Sequence, residues 1–262
     1  MPVTITRSRR NWTLIDGRRG TVVTADSIKR EITDYWTGRE EKFEALRLDE
    51  LKSSKHDRWL DEFHRYLPAD RKLDILDIGT GTGFFSFLLA AEGHRVTGID
   101  LTEKMIEGAK RTAALLDLDP MFLVMDAEDP VFEPESFDVI VTRNLTSFLP
   151  DLPEAYRKWH AILREDGILI NFDGNYHYEH ADVPLPEDHA HKDLTDAQNA
   201  AYAHIEDELR VVQRPRPVWD MTLLADAGFR NCDVDRDVYQ RIYRETDRFF
   251  NPVPIFCITA RK

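Results

Sequence analysis

The sequence contains little cysteine and no long apolar run. Only Cys232 and Cys257 occur among its 262 residues, and a chain of this length buries a sufficient core without disulfides. Two structural cysteines favour a reducing compartment, so we expect the cytoplasm. The longest uncharged stretch, residues 79–91, is shorter than the roughly 20 residues of a membrane-spanning helix. No apolar run follows the first basic residues, so we expect neither secretion nor a membrane partner.

The sequence also lacks an excess of positive charge. Its 35 Lys and Arg face 48 Asp and Glu, which gives a formal net charge of -13. Proteins that bind the phosphate backbone of nucleic acids gain most of their affinity from Lys and Arg, so nucleic acid is not an expected partner. Two arginine clusters, at residues 7–10 and 18–19, have no interleaved aromatic residues. We interpret this N-terminal stretch as a solvated tail.

The hydrophobic pattern divides the chain into two parts. Apolar residues at helical spacing predict three helices between residues 28 and 67, stopped by Pro68. From residue 73 to 173, short β-branched runs alternate with helical stretches, which predicts a parallel sheet with helices on both faces. We therefore expect a tail and helical cap over 1–67 and an α/β domain over 68–262. A polar insertion at about 174–217 precedes a helix near 221–227 and strands near 232–238 and 254–260.

A glycine-rich turn follows the first strand of the predicted sheet and precedes a helix. It contains Asp77, Gly79, Gly81 and Gly83. In open α/β sheets this position binds ligands, because glycine lets the backbone approach them closely. Phe84 stands where the dinucleotide pattern requires its last glycine, and no Gly-Lys-Ser/Thr follows, so neither a nicotinamide dinucleotide nor a nucleoside triphosphate is expected.

Acidic residues end the next two predicted strands. Asp100 can accept hydrogen bonds from both hydroxyls of a ribose. Asp126 can accept from an exocyclic amine, and the backbone N–H of Ala127 can donate to a ring nitrogen of adenine. Glycines that only permit the turn, and aspartates that only cap the following helices, are the alternative. Together with Asp77, the pattern favours a nucleoside that also carries an amino group.

With these residues the chain resembles the class I S-adenosylmethionine (SAM) dependent methyltransferases, in the small-molecule branch that includes the quinone-biosynthesis enzymes. The resemblance covers about residues 30–173 and the final strand pair. It implies a Rossmann-like, seven-stranded, mostly parallel sheet whose last strand inserts antiparallel, with SAM across the carboxyl ends of the strands. The residues it implies for cofactor binding are Tyr35, Trp36, Arg39, Asp77, Gly79, Gly81, Gly83, Asp100, Leu101, Asp126, Ala127 and Asn144.

The N-terminal motif Tyr35-Trp36-x-x-Arg39 is part of this resemblance. It implies that an N-terminal helix folds over the cofactor, with Tyr35 or Trp36 closing the pocket and Arg39 meeting the methionine carboxylate. The alternative is an amphipathic helix that packs its aromatic residues on the sheet edge.

The fourth predicted strand ends at Asn144, without the Asn/Asp-Pro-Pro-aromatic or Pro-Cys motifs of DNA, protein and pyrimidine methyltransferases. Asn144 is neutral, so it can orient an acceptor or the SAM amine but cannot act as a strong base. Its alternative role is to close the strand by bonding to the backbone. We expect the preceding Arg143 to face solvent.

The stretch after the fifth predicted strand contains the other candidate catalytic residues. Tyr176 and Tyr178 can press their rings toward a sulfonium, or can simply pack a lid. His177 has the pKa range of a general base, although its position is not fixed by the sequence. We expect no metal, because the local residues have no strong ligand spacing. The residues considered for a metal were His177, His180, His189, His191, Asp182, Glu187 and Asp188.

These observations predict an enzyme that transfers a methyl group from SAM to N, O or S of a small molecule. The alternative is a SAM cyclase or lyase similar to the azetidine-2-carboxylate synthases, in which the SAM amine attacks its own γ-carbon and methylthioadenosine leaves. A non-catalytic SAM-binding subunit is a third hypothesis. The partner expected in each enzymatic case is a small molecule, and a homodimer is compatible with the sequence, which does not identify the acceptor.

Overall fold

The computed structural model describes residues 4–8, 11–16, 21–179, 183–189, 192 and 194–262. Near the N-terminus, strands β1 (Thr4–Ser8), β2 (Asn11–Asp16) and β3 (Thr21–Thr24) pair antiparallel, with β2 in the centre. The segments interpreted as part of a solvated tail therefore form a three-stranded sheet. They are rich in threonine, isoleucine and valine, which favour extended backbone. The charged residues in and around these segments obscured this preference for extended backbone.

The predicted helical cap is present as three helices. These are α1 (Ala25–Thr37), α2 (Glu40–Leu51) and α3 (Lys55–His64). A capping box starts α1, since the Thr24 hydroxyl accepts from the Ser27 amide at 3.1 Å and the Ser27 hydroxyl accepts from the Thr24 amide at 3.0 Å. Both bonds satisfy backbone donors that the first helical turn leaves free.

The main sheet has the predicted Rossmann-like form, with seven strands among the described residues and helices on both faces. Its order is β6-β5-β4-β7-β8-β10-β9, and β10 alone runs antiparallel to its neighbours. The strand order reverses at β4, because β5 and β6 follow on one side of it and β7 and β8 on the other. Ligands of such sheets bind at this switch point. The strands are β4 (Asp74–Ile78), β5 (Arg95–Asp100), β6 (Met121–Val124), β7 (Phe137–Arg143), β8 (Leu163–Gly174), β9 (Arg230–Asp235) and β10 (Ile255–Arg261).

Helices cover both faces of this sheet and bury two apolar cores. On one face Trp59 of α3 contacts Phe172 of β8 edge-on at 5.1 Å between ring centroids. On the other, Tyr156 and Trp159 pack with Ile140 of β7. The helices not yet named are α4 (Phe84–Ala91), α5 (Glu103–Leu116), α6 (Leu152–Ile162), α7 (Asp196–Val212), α8 (Val218–Asp226) and α9 (Val238–Ile242).

Two details differ from the sequence prediction. The strand expected to reach residue 238 ends at Asp235, because Val238 starts α9 and is fully buried in the first core. The polar insertion contains the 17-residue helix α7, which the sequence interpretation did not identify. No helix in the described part of the chain combines the length and apolarity needed to span a membrane.

Helix α7 packs on α1 and so completes a cover over the carboxyl edge of the sheet. Tyr202, Ile205 and Leu209 of α7 share an apolar cluster with Ile28 and Tyr35 of α1. Two sequence signals for α7 were present. Its apolar residues recur at helical spacing, and its first turn carries a Thr-x-x-Gln capping box.

Candidate active site

The glycine-rich turn forms the floor of a cavity at the carboxyl ends of β4, β5 and β7. Gly79 and Gly81 adopt φ angles of +69° and +54°, which favour glycine. A Cβ on Gly81 would lie 3.2 Å from the Phe43 ring, and one on Gly79 would lie 2.8 Å from Leu145. Gly83 also has a positive φ, but it caps α4 and does not line the cavity. The two earlier glycines keep the floor open, whereas Gly83 serves the turn.

Asp77 is buried beneath this floor and holds the turn in place. Its Oδ2 accepts from the Thr80 hydroxyl at 2.7 Å, the Ser86 hydroxyl at 2.8 Å and the Ser86 amide at 3.1 Å. Burial raises the pKa of Asp77 to about 6, against the lowering effect of these hydrogen bonds. Asp77 also lines the cavity, so its second oxygen is placed to face a ligand amine.

Asp100 ends β5 at the opposite side of the turn. Its Oδ2 accepts from the Gly81 amide at 3.0 Å and its Oδ1 from the Thr102 amide at 2.8 Å. Burial raises the pKa of this carboxyl. The alternative, in which Asp100 caps the following helix, is not realised, because Thr102 is the N-cap of α5 and no side chain caps that helix. These two bonds also leave acceptor capacity, since a carboxylate has about four acceptor positions. Asp100 and the adjacent Leu101 line the cavity, so acceptor capacity is left for ligand hydroxyls.

Asp126 follows β6 and is tied to the cap. Lys29 of α1 donates to Asp126 Oδ2 at 2.6 Å and lies 2.5 Å from Glu128 Oε2. Burial alone would lower the pKa of Lys29, but the two carboxylates raise it overall. Ala127 lines the cavity, and its carbonyl accepts from the Trp159 indole at 2.7 Å. This ion-paired group joins the cap to the far end of the cavity.

Asn144 lies where β7 ends, in a left-handed backbone conformation with a φ of +54°. Its amide N–H donates to the Phe172 carbonyl at 2.8 Å, as the strand-closing alternative requires. Its side chain nevertheless lines the cavity, and Oδ1 accepts from the Tyr176 hydroxyl at 2.8 Å. Asn251 donates to that same hydroxyl at 2.6 Å. Asn144 Nδ2 has no hydrogen-bond partner among the described residues, so it is available to a ligand.

The three candidate catalytic residues in the turn after β8 do not lie at one site. Tyr176 lines the cavity, and burial raises its pKa well above the usual range, which keeps the hydroxyl protonated. Tyr178 instead donates to the Gln213 carbonyl at 3.0 Å and is partly exposed away from the cavity. His177 is buried with Nε2 2.7 Å from the Ser147 carbonyl, also outside the cavity lining. Neither Tyr178 nor His177 is placed for the role considered for it.

The described residues contain no group of three or more histidine, cysteine or acidic side chains that could hold a metal ion. His180, Asp182 and His191, which the metal hypothesis included, lie outside the described residues. His189 lines the cavity, with Nε2 2.7 Å from the Phe250 carbonyl.

The end of α1 and the turn into α2 bring two of the three candidate residues of the N-terminal motif to the cavity. Trp36 and Arg39 line it, whereas Tyr35 packs against Tyr202 of α7 at 5.5 Å between ring centroids. The Tyr35 hydroxyl accepts from Arg39 Nη1 at 2.9 Å, and the guanidinium lies over the rings of both Tyr35 and Trp36. Tyr35 therefore positions Arg39 rather than closing the cavity itself.

The expectation that Arg143 faces solvent is wrong. Its side chain is 9% exposed, lies over the Phe84 ring at 4.4 Å and donates to Glu50 Oε1 at 3.0 Å. Arg47 of α2 pairs with the same carboxylate. Burial would raise the pKa of Glu50, but the two arginines lower it to about 2. A charged residue at a core position of α2 was the sequence signal for this buried partner.

The cavity has a volume of about 240 Å³ and is lined by aromatic and charged side chains. Sequence reasoning assigned several of its residues to no site. They come from the cap, the start of α5, the end of β7 and the turn after it, α7, and the segment between α9 and β10. These residues are Lys29, Phe43, Arg47, Thr102, Met105, Arg143, Phe148, Tyr202, Tyr243, Arg248, Phe249, Phe250 and Asn251.

Comparisons with known proteins agree with this site. Residues 76–171 match a family model described as a methyltransferase domain. Nocamycin O-methyltransferase of Saccharothrix syringae is 34% identical over 99 residues, which are 36% of this chain and 35% of that protein. Ubiquinone biosynthesis O-methyltransferase of Coxiella burnetii is 32% identical over 96 residues, 37% of this chain and 41% of that protein. The matches thus span less than half of either relative.

Solved structures show the same fold at lower identity. A SAM-dependent methyltransferase from Mesorhizobium loti aligns with a TM-score of 0.56 and 19% identity, covering 78% of this chain and 98% of that one. The fold likeness covers more of this chain than the residues that match the family model. Residues 76–171 therefore form a methyltransferase domain, within a chain that has the Rossmann-like fold of the class I SAM-dependent methyltransferases.

Proposed function

We propose that the protein transfers a methyl group from SAM to a small-molecule acceptor. The observation that carries this proposal is the alignment of Asp77, the open floor at Gly79 and Gly81, and Asp100 along one cavity in a methyltransferase domain. A buried carboxylate, a backbone cradle and a second carboxylate match in order an amine, a sulfonium-bearing chain and a ribose. Because a fold alone does not determine activity, the proposal depends on the chemistry of these site residues.

The residues present fit the cofactor. Asp77 would hold the amino group, Asp100 the ribose hydroxyls, and Leu101 would contact the adenine face. Asp126 and Ala127 would meet the adenine edge, with Asp126 shared between the adenine amine and Lys29. Arg39, held by Tyr35, would meet the methionine carboxylate. When bound, SAM supplies a methyl group activated by its sulfonium.

The chain's own contribution is to position the acceptor and exclude water. Trp36 and Phe148 belong to the cover over the cavity, with ring centroids 6.3 Å apart. Asn144 and Tyr176 form a neutral hydrogen-bonding edge next to Asp77. Neither can act as a strong base at neutral pH. This edge therefore suits an acceptor that is already nucleophilic, which it would hold in line with the methyl group.

The cyclase alternative receives less support from the site. It requires the Asn144 carbonyl to hold the SAM amine, and the bond from Tyr176 at 2.8 Å leaves Oδ1 only one of its two acceptor positions for this. The two named relatives are both O-methyltransferases. We retain methyl transfer as the function, and place the protein in the cytoplasm as a proposal; association into a homodimer stays a prediction.

Mass spectrometry after incubation with SAM tests the proposal. With a panel of small phenols, amines, thiols and carboxylic acids, we expect adenosylhomocysteine and one methylated product. Asp100→Ala serves as the control that should lose SAM binding. Methylthioadenosine formed from SAM alone, above the level without enzyme, would establish the cyclase instead. Absence of SAM binding by calorimetry would refute both.

A further inference from the structure

Three arginines line one wall of the cavity, which we call the arginine wall: Arg47, Arg143 and Arg248. Arg47 and Arg143 share the single carboxylate of Glu50. Arg248 donates to Asp49 at 2.9 Å, so the loop before β10 is fixed beside α2, two residues from Arg47 along the chain. The wall therefore combines residues of the cap, β7 and this loop.

The three arginines of the wall have two carboxylates as ion-pair partners, Glu50 and Asp49. The Asp77 carboxylate also attracts Arg143, but in the proposed function it compensates the cofactor amine. One carboxylate, Glu50, faces two guanidiniums, so the buried group of three carries a net charge of one positive unit. Burial and the neighbouring Arg143 lower the pKa of Arg47. A buried cation without full compensation is costly, and an anionic ligand would remove that cost.

Hydrogen-bond donors in the wall are also unused. The Nε atoms of both Arg47 and Arg248 are buried and have no hydrogen-bond partner among the described residues. A guanidinium offers its donors in a fixed fork that matches a carboxylate or a phosphate. The two Nε atoms are themselves shielded from the cavity, but the side chains of Arg47 and Arg248 both line it, and two guanidiniums on one cavity are the complement of an acidic group.

Among the described residues, Arg47 and Arg248 make no hydrogen bond with the side chains that would hold the cofactor's polar groups, whereas Arg143 is attracted electrostatically to Asp77. Asp77, Asp100 and Asp126 make separate contacts with the turn and with α1, and Arg39 is fixed by Tyr35. Around the wall the cavity is aromatic, since the Arg47 guanidinium lies 4.5 Å from the Phe43 ring centroid and the lining includes Tyr243, Phe249 and Phe250. A flat ring fits such surroundings.

We propose that the acceptor is an aromatic acid whose anionic group binds Arg47 and Arg248. This inference rests on the proposed function and narrows its substrate class. The acid group fixes the ring in the aromatic part of the cavity, and a nucleophilic substituent elsewhere on the ring reaches the edge formed by Asn144 and Tyr176. The role of the wall is to position and select the acceptor.

Binding of matched probes to the protein saturated with adenosylhomocysteine tests the inference. The probes are benzoate and benzamide, which have similar shape but differ in charge, titrated by ligand-observed NMR. We expect benzoate to bind at least tenfold more tightly, since hydrogen bonds to charged groups are the stronger kind. Equal affinity for the two probes would overturn the inference.

Two variants assign the charge preference to the wall. Arg47→Gln and Arg248→Gln should each reduce benzoate affinity about tenfold and leave benzamide unchanged, while Arg47→Lys should retain part of the preference. Arg248→Gln still tests the inference if Arg47→Gln does not fold, because Arg248 is not part of the Glu50 group. The matched control is Arg157→Gln, on an exposed side chain of α6 that pairs with Glu154 outside the cavity. It should change neither affinity.

Adenosylhomocysteine affinity separates this inference from the proposed function. We expect it to be the same in wild type, Arg47→Gln and Arg248→Gln. A tenfold loss in either arginine variant would assign the anion to the cofactor's own carboxylate and overturn the inference, while the proposed function would stand. If wild-type protein does not bind adenosylhomocysteine at all, the proposed function fails first.

Discussion

Lys29 in the cap donates to Asp126 at the end of β6, with 2.6 Å between Nζ and Oδ2. The same ammonium lies 2.5 Å from Glu128, whose side chain is only 6% exposed. One lysine thus compensates two carboxylates at the adenine end of the proposed cofactor site, and links cofactor binding to the position of α1.

Replacing Lys29 with Met should destabilise the protein. It leaves Glu128 buried without its cation, and breaking a partly buried pair in this way costs about 1 to 3 kcal/mol of unfolding free energy. Urea denaturation measures the loss. Lys104→Met is the control, because Lys104 pairs with Glu107 on the exposed face of α5, and this variant should leave the unfolding free energy nearly unchanged. Equal stabilities of the two variants would contradict the structural role of Lys29.

Replacing Asp100 with Ala should weaken SAM binding at least tenfold. The variant removes the acceptor for two backbone amides and for the ribose hydroxyls, and charge-assisted hydrogen bonds contribute about 1.5 to 3 kcal/mol each. Calorimetry gives the affinity, and circular dichroism checks folding. Asp129→Ala, at an exposed residue that pairs with Lys158, should bind as wild type does. Unchanged affinity in Asp100→Ala would exclude the ribose contact.

Tyr176→Phe should slow turnover while Tyr178→Phe should not. Only Tyr176 bonds to Asn144, and loss of one hydrogen bond of about 1 to 1.5 kcal/mol lowers the rate roughly tenfold. SAM affinity should change little in either variant, since the Tyr176 ring is retained. Tyr176→Ala should be slower than Tyr176→Phe, because it also removes the ring from the cavity. Full activity of Tyr176→Phe would show that the ring alone matters.

The pKa of Asp77 predicts a pH dependence of stability. Its value of about 6 lies above that of an unfolded aspartate, so the protonated form is favoured on folding, and this stabilisation is lost as the pH rises through 6. Between pH 5 and 7.5 we expect ligand-free wild type to lose about 1 kcal/mol more unfolding free energy than Asp77→Asn, which cannot ionise. Urea titrations at both pH values give the difference. Identical pH profiles would place the Asp77 pKa near its ordinary value.

The sequence predicted the positions of residues that are set by neighbours in the chain, and did not predict those set by distant contacts. The glycine turn, Asp100 and Asp126 follow directly from strands, so their common edge could be predicted from chain order alone. The directions of Arg143 and Tyr178 could not. Each is set by a distant partner, Glu50 for Arg143 and the Gln213 carbonyl for Tyr178. The arginine wall joins α2 to a loop near residue 248, a pairing that no local pattern encodes.

The shared apolar cluster of α1 and α7 governs how quickly a ligand can enter and leave. Because Tyr35 and Tyr202 pack directly on each other, neither helix can lift without exposing buried surface on the other. We therefore expect the two helices to move together as one unit when the cavity opens. The free-energy cost of opening is then set by their mutual packing. The residence time of a bound ligand would then depend on residues that never touch it.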